Sequence, residues 1–215
     1  EGEEGERRVE VRLGEGQEER TIVLTTNVSS GLAERLWPSA LLLARYLWDH
    51  PAIVAGQRVV EIGAGTGLVG LVALALSARQ VTFTDRDDDG VMERLRQNLR
   101  ENHVDNNATA MPWVWGDACP LPNDSVDIFL AADCFYDTAD FRSLVASMAI
   151  GLARNAGSKV LVAYQSRSGG RTLIPLAQHW GLKLTLLLSD QGAHAGSKNS
   201  SQLLSLFQIS PLIPE

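Results

Sequence analysis

Glu61-Ile-Gly-Ala-Gly-Thr-Gly67 sets three glycines at i, i+2 and i+4 directly after a β-branched stretch. Glycine removes Cβ, permits positive φ and lets a ligand lie against the backbone, so a strand entering a helix through this turn is a cradle for a nucleotide-type cofactor. Gly65-Thr-Gly67-Leu-Val-Gly70 also fits the dinucleotide pattern G-x-G-x-x-G, which alone is weak evidence because such turns recur in many α/β proteins. Glu61 argues for a different ligand charge. An acid two residues before Gly63, closing a buried strand, suits a ligand bearing an ammonium and a sulfonium better than a pyrophosphate. That charge favours S-adenosylmethionine over a dinucleotide. Asp85, 18 residues after Gly67, follows the stretch Val81–Thr84; a carboxylate there can accept hydrogen bonds from both ribose hydroxyls. Asp87, Asp88 and Asp89 are read as acids at the positive N-terminal end of the next helix.

The reacting end is read from Val126-Asp-Ile-Phe-Leu-Ala-Ala132-Asp133-Cys-Phe-Tyr136. The stretch is apolar apart from Asp127, then delivers an acid and, three residues later, a phenol. Methyl transfer from a sulfonium is an SN2 displacement that needs a neutral nucleophile held in line more than it needs a strong base. An amine acceptor must first lose a proton, since a lysine side chain has an unperturbed pKa of about 10.4. Asp133 can hold the incoming cation and orient its lone pair, with Tyr136 positioning it. The alternative for Asp133 is a cap for the following helix, with Tyr136 packed nearby. Trp113-Val-Trp115-Gly-Asp117 ends another apolar stretch; one of the two tryptophans can lie against an adenine ring with Asp117 or backbone groups reading its amine, or both can be core residues. Arg167 is offered to Asp133, to a substrate or to solvent. His50, His103, His179 and His194 have no ligand spacing and receive no role, and no metal site is expected.

The elements that must carry these residues alternate. Val9–Leu13 and Thr21–Thr25 read as an N-terminal hairpin around Gly14-Glu-Gly16. Leu36–Trp48 reads as a helix with Pro38 in its first turn. There follow strand Val59–Ile62, helix Leu68–Ser77, strand Val81–Thr84, helix Asp88–Asn102, strands Thr109–Trp115 and Val126–Ala131, helix Ala139–Leu152 and strand Lys159–Ala163. Helix Arg171–Trp180, strand Leu182–Leu188, a polar loop Ser189–Ser201 and strand Gln202–Ile209 complete the chain. This pattern predicts an α/β fold, a Rossmann-like seven-stranded, mostly parallel sheet with helices on both faces, the last two strands antiparallel at one edge, and the hairpin as an extension. Ligands of such sheets bind beyond the carboxyl ends of the strands, near the switch in strand order, and every candidate residue lies at such an end.

Composition narrows the classes. In 215 residues, 45% are hydrophobic and 21% charged, enough for a buried core and too little charge for a disordered chain. A net charge of −7 argues against a dedicated nucleic-acid binder, whose affinity rests on Lys and Arg neutralising phosphates. Residues 1–20 hold eight glutamates and four arginines, so much of that acidity sits in a lead whose first residues have nothing to bury and are expected to fray. Cys119 and Cys134 belong to no Cys-x-x-Cys pair, which excludes a disulfide framework and fits a reducing compartment. The longest apolar run, Leu68 to Ala78, falls short of the ~20 residues that span a bilayer, so no membrane association is expected.

Leu36-Trp37-Pro38, Glu61-Ile-Gly-Ala-Gly-Thr-Gly67, Thr84-Asp85, Trp115-Gly116, Ala132-Asp133-Cys-Phe-Tyr136 and Tyr164-Gln-Ser-Arg-Ser168 together resemble the family 16 group of seven-strand (class I) S-adenosylmethionine-dependent protein methyltransferases, and they stand in the family's order from about residue 22 to 209. The resemblance implies that Trp37, Gly63, Ala64, Gly65, Asp85, Trp115 and Ala132 line the S-adenosylmethionine site, beside Glu61 and Gly67, and that Asp133 and Tyr136 form the acceptor end. It divides the chain into a flexible acidic lead (1–8), an N-terminal β-hairpin (9–30) and a class I methyltransferase domain (31–215). It further implies a monomeric enzyme of the cytoplasm or nucleus that methylates a basic side chain of a protein partner such as a chaperone or histone. Most relatives take lysine, and a branch associated with arginine leaves the acceptor open; the chain lacks the double-glutamate loop of the arginine-methyltransferase family proper. The competing readings are a small-molecule or RNA methyltransferase on the same fold, since Asp-x-x-Tyr is similar to a motif of nucleobase amino-methylases, a non-catalytic interaction module, and an NAD-dependent oxidoreductase.

Overall fold

Alternating apolar residues in the first 27 positions form β1 (Glu6–Leu13) and β2 (Arg20–Asn27), an antiparallel pair that is a two-stranded sheet of its own. The structure, a computed structural model, describes residues 5–16, 19–27, 35–104, 106–165, 173–190 and 203–212. The hairpin takes in Glu6, Arg7 and Arg8, which the sequence pattern places in the flexible lead. Glu6 is held there by Arg94, whose guanidinium lies 2.6 Å from its carboxylate.

The main sheet has seven strands: β3 (Arg58–Ile62), β4 (Gln80–Asp85), β5 (Ala108–Pro112), β6 (Ile128–Ala132), β7 (Lys159–Gln165), β8 (Leu182–Asp190) and β9 (Leu204–Pro211). Their order is β5-β4-β3-β6-β7-β9-β8. β3 pairs in parallel with β4 on one side and β6 on the other, so the order reverses between β3 and β6. β9 inserts antiparallel between β7 and β8, as expected for the last two strands. Val59, Val60, Ile62, Phe129 and Leu130 are almost fully buried, because helices cover both faces and the central strands have no polar side to present.

The helices are α1 (Pro38–Asp49), α2 (Leu68–Ala75), α3 (Asp89–Glu101), α4 (Phe141–Arg154) and α5 (Ile174–His179). Pro38 is the first residue of α1 and Trp37 its N-cap position, where a missing N–H costs nothing. Asp88 caps α3 by accepting from Val91 N–H at 3.1 Å, the role read for the acids after Asp85. Asp127, the one acid in an otherwise apolar stretch, lies just before β6 and takes two bonds from the Arg58 guanidinium, at 2.7 and 3.0 Å. That pair ties the starts of β3 and β6 together and holds the Asp127 carboxyl below the usual range.

Several element boundaries differ from expectation. The strand predicted over Thr109–Trp115 ends at Pro112, after which Asp117 N–H closes a turn on Val114 C=O at 3.1 Å and Gly116 takes φ +98°. α4 starts at Phe141 rather than Ala139, and β8 runs on through Ser189 to Asp190, into the stretch expected to be polar loop. The remainder of that loop, with Arg171 at the start of the predicted fifth helix, lies outside the described residues.

Gly70 permits the closest helix-to-sheet approach at the site. A Cβ there would overlap the Phe83 ring and lie 2.7 Å from Glu61 Oε2. Gly70→Ala is therefore expected to destabilise the fold by about 1–3 kcal/mol through overpacking, against a helix-propensity gain of about 1 kcal/mol. Thermal unfolding checks the sign; a raised Tm would show that the helix can shift away.

Candidate active site

The glycine turn leaves β3 over the carboxyl edge of the sheet, where β3, β4 and β6 end. Gly63, Gly65 and Gly67 all have positive φ, at +62°, +52° and +82°. Asp85 closes β4 beside this turn: one carboxylate oxygen accepts from Gly65 N–H at 2.7 Å and the other from Arg86 N–H at 2.8 Å. Glu61 Oε2 accepts from Gly70 N–H, in the first turn of α2, at 2.9 Å. Both acids are buried. Burial pushes the Glu61 carboxyl up to about 8, with the backbone hydrogen bonds and nearby Asp85 as lesser influences. Burial also raises Asp85, against the bonds from Gly65 and Arg86.

A cleft of about 270 Å³ opens at this edge. Trp37, Glu61, Gly63, Ala64, Gly65, Asp85, Trp115, Ala132, Asp133 and Tyr136 all line it, brought together from α1 and from the ends of β3, β4, β5 and β6. Gly67 does not. Its φ of +82° starts α2, and a Cβ there would lie 2.8 Å from Leu95 Cδ1, so its reason for being glycine is backbone shape and packing against α3 rather than contact with a ligand.

Asp133 follows β6 in the left-handed region, φ +56°, which Asp tolerates better than most residues. Its N–H continues the pairing with β7 by donating to Ala163 C=O at 3.0 Å. Its Oδ1 accepts from the fully buried Ser39 hydroxyl of α1 at 3.1 Å. It does not cap the following helix: α4 begins eight residues later, and Asp140 holds the N-cap position without using its side chain there. Tyr136 is half exposed at the mouth, its ring centroid 6.3 Å from that of Trp115. Partial burial and Asp140 raise its phenol, so near neutrality it is a neutral hydroxyl rather than a base.

Both tryptophans line the cleft, in different ways. Trp115 lies over the glycine turn, 3.1 Å from where a Gly63 Cβ would be. Trp113 is almost fully buried, and its Nε1–H donates to Asp117 C=O at 3.3 Å. The Asp117 side chain is exposed and is not among the cleft residues. Arg35, Arg86 and Asp140 also line the cleft, and the sequence pattern does not single them out. Arg86 has a readable signal in its adjacency to Asp85; Arg35 and Asp140 have none. Arg167 lies outside the described residues. Cys134 donates to Ile62 C=O at 3.1 Å, and burial, with three acids nearby, keeps its thiol neutral. Among the described residues no group of three or more His, Cys, Asp or Glu side chains is placed to hold a metal ion, and no helix is long and apolar enough to cross a membrane.

The donor set fits S-adenosylmethionine. Two buried carboxylates, both disfavoured as anions by their surroundings, face a cleft that a cation would complement. Asp85 retains acceptor capacity on both oxygens for a diol.

A family model described as lysine methyltransferase matches residues 16–173. The chain is 31% identical to histone-arginine methyltransferase METTL23 of Xenopus laevis over 198 residues, 86% of this chain and 82% of that protein. It is 29% identical to protein N-terminal and lysine N-methyltransferase efm7 of Neurospora crassa over 74% of this chain and 61% of that one, and 36% identical to protein N-lysine methyltransferase METTL21A of Danio rerio over 55% of each. Among solved structures, the Thermus thermophilus 16S rRNA methyltransferase RsmC, in complex with AdoMet and guanosine, superposes with a TM-score of 0.66 at 18% identity, over 96% of this chain and 51% of that one; this likeness concerns the fold. The chain belongs to the lysine methyltransferase family and is an S-adenosylmethionine-dependent methyltransferase.

Proposed function

We propose that the protein methylates a basic side chain of a protein substrate, with lysine as the favoured acceptor and a chaperone or histone as the kind of partner, in the cytoplasm or nucleus. The observation that carries this reading is Asp133: a buried carboxylate at the end of β6, held by Ser39 on the same cleft as Asp85 and Glu61. An anionic group there attracts an ammonium, which gives a proton to water at the open mouth; Tyr136 supplies a neutral hydroxyl to orient the resulting amine, whose nitrogen bonds the methyl carbon as the carbon–sulfur bond breaks. S-adenosylmethionine, when bound, supplies an electrophilic methyl group. In this reading Asp85 holds the ribose hydroxyls, Glu61 faces the cationic end, the Gly63–Gly65 backbone and Ala64 allow close approach, and Trp37, Trp115 and Ala132 wall the site.

Arginine is the second reading. Asp140 puts another carboxylate on the cleft lining, and several relatives are histone-arginine methyltransferases. Labelled S-adenosylmethionine added with the enzyme to an extract lacking it, followed by mass-spectrometric localisation of the label, tests both. Label on lysine supports the first reading and label on arginine the second. Label only on RNA or metabolites overturns the assignment to protein.

Glu61 makes binding depend on pH. In the free protein its carboxyl is mostly protonated at pH 7, because it titrates near 8. A cation bound nearby favours the carboxylate, so ligand binding releases a proton and affinity rises with pH. Between pH 6 and 7.5, where the ligand keeps its ammonium, S-adenosylhomocysteine is expected to bind more tightly at each step upward. Calorimetry in two buffers of different ionisation enthalpy reads the released proton directly. Glu61→Gln should abolish that release; a persistent release would assign it elsewhere.

A further inference from the structure

α3 presents Asn98 and, one turn on at its C-cap, Asn102 to the outer edge of β2. Asn98 Oδ1 accepts from Thr25 N–H at 2.8 Å, and its Nδ2 donates to Thr25 C=O at 3.2 Å. Asn102 repeats the arrangement on Val23, at 2.9 and 2.6 Å. Two strand residues rise about 6.6–6.8 Å and four helical residues about 6 Å, so amides one helical turn apart meet alternate strand residues in step. The helix thus completes the hairpin edge as a third strand would. Glu101 accepts from the Thr25 hydroxyl, at 3.1 Å for the nearer oxygen, and Arg94 pairs with Glu6.

Asn98 also makes a bond that Asn102 does not. Its Nδ2 donates to Thr66 C=O at 3.0 Å, inside the glycine turn. Thr66 stands between Gly65 and Gly67, both at positive φ, and glycine is the residue that least constrains its own backbone. The turn has one bond of its own, Gly67 N–H to Ala64 C=O at 2.8 Å, and is otherwise shaped by bonds from outside it. Asp85 fixes the Gly65 N–H and Asn98, with no solvent exposure, fixes the Thr66 carbonyl.

We propose that Asn98 is a positioning residue for the cofactor turn, and that through it the β1–β2 hairpin is part of the cofactor site. The proposal rests on the reading of the Gly63–Gly65 turn as the S-adenosylmethionine cradle. Coupling of this kind is reciprocal: if the hairpin steadies the turn, ligand on the turn must steady the hairpin.

Two measurements test it. In the wild-type protein, saturating S-adenosylhomocysteine should slow amide exchange in the hairpin, at residues 22–27, as well as in the turn at 63–67. Protection of the turn alone would overturn the proposal without touching the cradle reading, whereas no protection at either segment and no rise in Tm would overturn the cradle reading and the proposal with it. In the second measurement, Asn98→Ala should raise KM for S-adenosylmethionine and Kd for S-adenosylhomocysteine about tenfold with kcat at saturation nearly unchanged. Asn102→Ala loosens the hairpin on Val23 but leaves the Thr66 bond, so it should raise both constants by clearly less than Asn98→Ala does. Equal effects of the two substitutions would reduce Asn98 to an ordinary structural residue. The wild-type exchange experiment decides the matter even if Asn98→Ala fails to fold.

Discussion

Asp133→Asn is expected to lower kcat by roughly 10²-fold, the scale of misplacing a reacting group, while leaving S-adenosylhomocysteine affinity close to wild type. Asparagine isolates the charge. Its side-chain oxygen can still accept from Ser39, which Asp133 holds at 3.1 Å, and it is among the few residues that adopt a φ of +56° with little strain. Alanine is the blunter substitution: it leaves a buried Ser39 hydroxyl without this acceptor, at about 1–3 kcal/mol, and it fits the left-handed backbone poorly. If a lysine ammonium is the ion that Asp133 receives, the asparagine variant should also regain part of its rate at higher pH, where more acceptor is already neutral. Calorimetric titration with single-turnover rates separates the effects. A loss of binding equal to the loss of rate would move Asp133 from the acceptor end to the cofactor.

Asp85→Ala is expected to have the largest effect on affinity. The carboxylate holds two backbone N–H groups, from Gly65 and Arg86, and offers its remaining lone pairs to the ribose. Hydrogen bonds to a charged group are worth about 1.5–3 kcal/mol each, so losing two to the ligand corresponds to a Kd increase of roughly 10²–10⁴-fold. The variant also frees the turn that Asp85 pins, which adds to the loss. Equilibrium binding of S-adenosylhomocysteine and of NADH to wild type and variant reads the outcome. An unchanged Kd would remove Asp85 from the ligand contacts altogether.

Much of this arrangement can be read from local pattern. The order of strands and helices comes from β-branched runs alternating with longer amphipathic segments, and Glu61, Gly63, Gly65, Asp85 and Asp133 are identifiable because each sits at the carboxyl end of a strand. The features that escape local pattern depend on distant partners. Gly67 belongs to the same glycine series as Gly63 and Gly65, yet its constraint comes from Leu95 on α3. The strand period carries Trp113 and Trp115 to one face, but β5 stops at Pro112, so Trp113 is almost fully buried at the cleft wall while Trp115 covers the turn. Ser39 and Asn98 carry no local signal, because a lone serine in a helix and an asparagine in a charged amphipathic run gain meaning only from partners 94 and 32 residues away.

The reversal of strand order between β3 and β6 separates two inheritances. Glu61 and Asp85, with the glycine turn, come from β3, β4 and the turn between β3 and α2; Asp133 and Tyr136 come from the chain after β6, and the two sets meet only across the seam. In the proposed reading the first set grips the methyl donor and the second receives the acceptor, so the acceptor half can change without disturbing the donor half. Relatives named for arginine and for lysine are the outcome such a partition permits. Swapping residues 133–140 among them is then a smaller evolutionary step than altering the donor.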